Sequence, residues 1–150
     1  MTEKPLVQVE TLIDAEPSAV WQALTARRSA MFMGAEVDTD WKAGSPISFI
    51  GEFEGHAFHD RGKIRDIDER SRLAFTHYSP TSGKPDVPDS YNFIDVQLER
   101  VGDRTQVRLS QTPLGGERPD GQTVEMYRTN WETMLGALKT AAEERAFANS

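Results

Sequence analysis

The strongest constraint in this chain lies at residues 122–148. Val124, Tyr127, Trp131, Leu135 and Leu138 recur at three- and four-residue intervals, while Glu125, Arg128, Glu132, Lys139 and Glu143 fill the other side. A helix this long and apolar along one stripe needs a broad apolar surface beneath it. The residues before it read mostly as strands, so that surface is a sheet. Residues 6–13 alternate, with Val7, Val9, Thr11 and Ile13 on one face and Gln8 and Glu10 on the other. Pro17 suits a first helical position, and Val20, Trp21 and Leu24 then form the stripe of a short helix ending near Thr25. Residues 27–34, with Met31 and Phe32 apolar and Gly34 as the stop, are expected to form a second short helix.

The middle of the chain is punctuated by turns. Residues 41–46 lead into a strand at 47–50, and Glu54-Gly55-His56 turns into a second strand at 57–67. A polar turn at 68–71 precedes a strand at 72–78, in which Leu73 and Phe75 share a face. Residues 79–90 carry three prolines and a glycine without apolar period, a loop long enough to gate an entrance. Residues 92–101 alternate through Ile94, Val96 and Leu98, turn at Gly102-Asp103, and return through Val107 and Leu109 to Thr112. The expected class is α+β: six antiparallel strands, one or two short helices after the first, and a long C-terminal helix.

Composition narrows the function. At 150 residues, 37% hydrophobic and 27% charged, the sequence fits a single domain spanning 1–150. The absence of cysteine removes disulfides, thiolate catalysis and thiolate metal sites. A net charge of −7 opposes nucleic acid and anionic membrane surfaces. No stretch has the length and apolarity of a membrane span, and the start lacks a signal-peptide pattern, so a cytoplasmic location is expected.

Residues 12–25, from Leu12-Ile13-Asp14 through Val20-Trp21 to Leu24-Thr25, resemble the opening of the START-like (SRPBCC) superfamily, and in particular its activator of heat-shock protein 90 ATPase homologue branch. Trp41 with Gly44, Gly62-Lys63-Ile64, Leu73 before Phe75-Thr76, Thr105 after Gly102, and Trp131 with Leu135 and Leu138 fall where that branch carries similar residues. Asn130 departs from the glycine often found before the helix tryptophan, which bears on how closely the helix approaches its neighbours. The resemblance implies a helix-grip fold with a cavity between the sheet and the C-terminal helix. Members of the superfamily bind lipids, hormones and polyketides there, or catalyse cyclisation and dehydration.

Strand parity then selects the polar groups of such a cavity. With Leu73 and Phe75 inward, His77 follows; with Ile64 inward, so do Gly62 and Asp60. Pairing about the turn at 68–71 sets residue 62 opposite 77, which brings Asp60 near His77, with Asn92 and Gln111 inward on later strands and Tyr127 above. An Asp–His pair in a partly apolar pocket can act as general base or orient a ligand; the alternative is a solvated ion pair at the rim, and a bulge in residues 57–67 would turn Asp60 outward. The candidate ligand-binding set is Phe49, Phe58, Phe75, His77, Asn92, Ile94, Gln111, Tyr127, Trp131 and Leu135, with Ile47, Ile64, Val96 and Leu109 adding apolar lining. Asp60 and His77 are the catalytic candidates.

Other clusters are weaker. His56 and His59 point to opposite sides of a strand and share no metal; Glu52 and Glu54 flank a turn as solvated residues; Ser79 and Ser110 lack a nucleophile-elbow setting; Gly115-Gly116 lacks the lysine of a phosphate loop. Trp21 and Trp41 are core residues. No metal and no cofactor are expected. The leading reading is a binder of a hydrophobic or amphipathic small molecule. A cyclase, dehydratase or hydrolase using Asp60 and His77 is the second, and a chaperone-contacting interaction module the third.

Overall fold

The computed structural model describes residues 4–148. Seven antiparallel strands form one sheet: β1 (Val7–Ile13), β2 (Glu36–Asp38), β3 (Pro46–Phe53), β4 (His56–Asp68), β5 (Arg72–His77), β6 (Asn92–Val101) and β7 (Arg104–Pro113). Their order across the sheet is β1-β7-β6-β5-β4-β3-β2. Helix α1 (Pro17–Leu24) follows β1, and helix α2 (Gly121–Ala148) closes the chain. The long helix begins at Asp120, whose carboxylate accepts the Thr123 backbone N–H at 2.8 Å.

Two expectations are corrected. The sheet has seven strands, because Glu36-Val37-Asp38 pairs with Ser48–Ile50 of β3 at the sheet edge. Three residues cannot display alternation, although the buried Val37 flanked by two acids is what an edge strand needs. The second helix is a single 3₁₀ turn, Ala30–Phe32, because Met33 and Gly34 enter the left-handed region at φ 58° and 72° and stop it.

Val7, Ile13, Ile64, Leu73, Phe75, Ile94, Val96 and Leu109 project from the inner face into the core. Strand β5 is buried on both faces, since Ala74 and Thr76 on the outer side are closed off as well as Leu73 and Phe75, and Tyr78 just beyond the strand is buried too. Only the second half of α2 is sealed against this core, through Leu135, Leu138 and Ala142. Val124, Tyr127 and Trp131 are half-buried, so the first half of the helix stands away from the strands and leaves room beneath it.

The sealed half is also tied electrostatically. Glu143 accepts the Asp14 backbone N–H at 2.8 Å and pairs with Lys139, and these two bonds, Lys139 first, hold its carboxyl below the ordinary carboxylate range. A depressed folded-state pKa gives stability that is present above the unfolded value and lost as pH falls through the folded one. Glu143→Gln is expected to cost about 0.5–1 kcal/mol at neutral pH after solvent screening, and less at pH 3, where part of the carboxylate's advantage is lost. Urea titrations at the two pH values measure the difference; equal losses at both would remove the carboxylate's role.

Candidate functional site

The space beneath the first half of α2 divides into two adjoining compartments. The inner one, about 110 Å³, is walled by Phe32, Phe49, Phe58, Phe75 and Met134 and is almost wholly apolar. The outer one, about 450 Å³, runs between β5–β7, the helix and the loop after β5, and reaches Asn92, Ile94, Gln111, Tyr127 and Asn130. Asp60, His77, Trp131 and Met134 border both. The boundary between dry and polar space is therefore where, among the described residues, the one acid and the one imidazole lining the cleft stand.

His77 Nε2 lies 2.9 Å from Asp60 Oδ2, with the two side chains 30% and 16% exposed. The register that creates this pair contains two offsets that cancel. The β4–β5 hairpin closes at Asp68–Arg72, leaving a three-residue loop with Arg70 in the left-handed region, one residue off the pairing expected from the sequence. Between Ile64 and Asp66 the register shifts back, so that Ile64 faces Phe75 and Arg61 faces Tyr78. A bulge thus exists within β4, yet it restores the inward parity of Asp60.

Hydrogen-bond accounting distinguishes the two carboxylate oxygens. Oδ2 meets the imidazole, whereas Oδ1 is buried without a partner. Phe49, opposite Asp60 on β3, packs its ring 5.8 Å from the imidazole and shields the pair on the dry side. With Nε2–H donating to Asp60, Nδ1 of His77 is an acceptor. The boundary therefore carries one buried acceptor without a partner, Asp60 Oδ1, and a second, Nδ1, when the imidazole is neutral.

Trp131 is fixed differently. Its indole N–H donates to Gln111 Oε1 at 2.7 Å, which fixes the ring at the border of the two compartments and uses the acceptor of the buried Gln111 amide. Leu135, one turn further along α2, lies in the closed core and borders neither compartment, and the same holds for Ile47, Ile64, Val96 and Leu109. Met134 and Phe32 border the space and were absent from the sequence-derived set. Met134 was legible, since it follows Tyr127 by seven residues on the same face. His56, His59, Glu52 and Glu54 are exposed at the β3–β4 hairpin, and no group of three metal-ligating side chains occurs among the described residues.

The loop after β5 contributes Ser79, Thr81, Ser82, Lys84 and Ser90 to the outer compartment. It is held from behind: Asp86 accepts from Tyr91 at 2.6 Å and from Arg61 at 2.6 Å, and these bonds, Tyr91 first, keep its carboxyl below the ordinary range. Tyr78 donates to the Lys84 carbonyl at 2.7 Å and stacks on Tyr91 at 5.2 Å. The expected gate is thus a loop latched to the outer face of the sheet.

A curved antiparallel sheet gripping a long C-terminal helix, with a cleft between them, defines the helix-grip class of START-like proteins. Residues 14–143 match the family model described as Activator of Hsp90 ATPase homolog 1-like protein, and the chain belongs to that family. Among solved structures, the solution structure of ChR145 from Cytophaga hutchinsonii is 35% identical, with a TM-score of 0.77 over 97% of this chain and 98% of that one. The Aha1 dimer from Colwellia psychrerythraea is 23% identical, with a TM-score of 0.68 over 95% and 97% of the two chains. CalU16 from Micromonospora echinospora is 20% identical, with a TM-score of 0.66 over 94% and 83%; at these lower identities the similarity concerns the fold. No curated protein matches the chain. No helix among the described residues is long and apolar enough to cross a membrane.

Proposed function

We propose that this chain binds an amphipathic small molecule whose apolar head fills the inner compartment and whose hydrogen-bond donor meets Asp60 at its boundary. The carrying observation is Asp60 Oδ1, buried and without a partner beside an apolar space of about 110 Å³. That space is of the order of one six-membered ring, since an apolar cavity of roughly 150 Å³ accommodates benzene. An unpaired buried acceptor costs about 1–3 kcal/mol, more when charged, and a ligand hydroxyl recovers that cost. Affinity comes from the phenylalanine walls, and selectivity from the acceptor.

The test compares 2-phenylethanol with its methyl ether, the same ring with and without a donor, followed by Trp131 fluorescence and methyl resonances of Met134 and Ile94. The alcohol is expected to bind about tenfold more tightly, corresponding to roughly 1.4 kcal/mol, and Asp60→Ala to abolish the difference while the ether's affinity is retained. Failure of both probes to enter would reject ligand binding in the cleft; equal binding of both would reject the role of Asp60.

A catalytic reading rests on the 2.9 Å Asp60–His77 contact. Asp60 Oδ2 accepts Nε2–H and so leaves Nδ1 of the neutral imidazole to take a proton from a second donor group of the ligand, distinct from the one that meets Oδ1. On this reading His77→Ala removes turnover and leaves binding of the ether unchanged.

A further inference from the structure

A second groove, of about 450 Å³, lies on the outer face of the sheet, behind the latched loop. Its walls combine two chemistries. Val87 and Leu114 are 43% and 42% exposed, and with Pro46, Pro88 and Tyr91 they form an apolar trough whose floor includes the buried Thr76. Along one side run Arg61, Lys63 and Arg65, alternate residues of β4 that share the outward face. Arg61 is neutralised by Asp86 and packed over the Tyr78 ring. Lys63 and Arg65 make no ion pair among the described residues, whereas Arg72 on β5 and Arg108 on β7 each contact two carboxylates. In a chain of net charge −7, two unneutralised cations beside an exposed apolar trough are an anion-selective feature.

We propose that this outer groove binds a free amphipathic carboxylate, its headgroup at Lys63 and Arg65 and its chain along Val87, Pro88 and Leu114. The two cations are about 6.5–7 Å apart along the strand, a span one carboxylate bridges from between them. The remaining negative charge of the molecule opposes docking to an anionic bilayer, which selects a monomeric amphipath over a membrane surface. Tyr91 lines the groove while holding Asp86, and Asp86 anchors the loop whose other side edges the inner cleft. The two spaces lie on either side of that loop: the cleft holds the Asp60–His77 pair with Lys84 at its edge, and the outer groove holds Lys63 and Arg65.

Sub-micellar decanoate and decanol are titrated against protein labelled at its methyl groups. Val87 and Leu114 report the outer groove; Ile94 and Met134 report the cleft. Decanoate is expected to shift Val87 and Leu114 and decanol to leave them in place. Both cations are exposed, so the double substitution Lys63→Gln, Arg65→Gln leaves the fold intact; it is expected to weaken the outer response about tenfold without altering the inner one. Decanoate shifts confined to Ile94 and Met134, or an outer response unchanged in the double variant, would overturn the proposal. The double variant tests the outer groove alone, whereas shifts at Ile94 and Met134 report entry into the cleft.

Discussion

Gly62→Ala is expected to destabilise the protein by about 3 kcal/mol or more and to separate Asp60 from His77. A methyl group at residue 62 would stand 1.6 Å from the Thr76 carbonyl oxygen and 2.5 Å from its carbon, both backbone atoms that no rotamer change can move. The strands are drawn together here because the Lys63 N–H donates to the Thr76 hydroxyl at 2.9 Å, between the Ile64–Phe75 pair and the Arg61–Tyr78 bridge. Accommodating the methyl requires β4 and β5 to part at that point, two residues from Asp60 and one from His77. Gly136→Ala is the matched comparison: nothing lies within 4 Å of the added methyl, and the site is an exposed helix interior. It is expected to stabilise by about 0.5–1 kcal/mol. Urea midpoints read both changes, and the imidazole resonances of His77 read the loss of its carboxylate partner. A Gly62→Ala protein as stable as the parent would show that the strands are not pinned at Thr76.

This glycine also shows what sequence can and cannot display. Gly62 falls in the inward parity of Asp60 and Ile64, and that parity, read from alternation alone, placed the acid and the imidazole on one face. The reason is physical: with one face buried, a slip of one residue would expose Leu73 and Phe75, so the apolar pattern dictates the register. The hairpin loop at 69–71 and the bulge near Arg65 are invisible to that argument, but because they offset each other the prediction for residues 60 and 77 was insensitive to both. Strand β2 escaped because Glu36-Val37-Asp38 is too short to have a period, and its identity depends on the edge offered by β3. Leu135 was placed among the lining residues since it shares the helix face of Trp131; periodicity gives a face, not the distance at which the helix leaves the sheet. The unpaired Oδ1 and the outer groove depend on side-chain packing and on where residues 79–91 fold back, which no local pattern encodes.

Phe75→Ala is expected to cost about 3–5 kcal/mol, close to 10 °C or more in thermal midpoint for a chain of this size. Phe75 is 1% exposed, with its ring 5.5 Å from Phe49 and 6.0 Å from Phe32 in an edge arrangement, so its removal leaves a void among side chains already fixed on three elements. It also borders the inner compartment, and the void therefore opens into the space of about 110 Å³ already present there. A core phenylalanine remote from any cavity and one that walls a binding space both destabilise on truncation, but they respond differently to an apolar solute. If the enlarged compartment stays open, benzene binds the folded variant and not the unfolded chain, and each tenfold excess over its dissociation constant returns roughly 1.4 kcal/mol. The expected outcome is a thermal midpoint for Phe75→Ala that rises with saturating benzene, alongside a smaller rise for the parent, whose compartment admits one ring. The comparison residue is Leu73, buried on the same strand but bordering neither compartment: Leu73→Ala is expected to lose stability that benzene does not restore. Equal rescue of the two variants would mean that solute enters any void in this core, and the inner compartment would lose its claim to be a site.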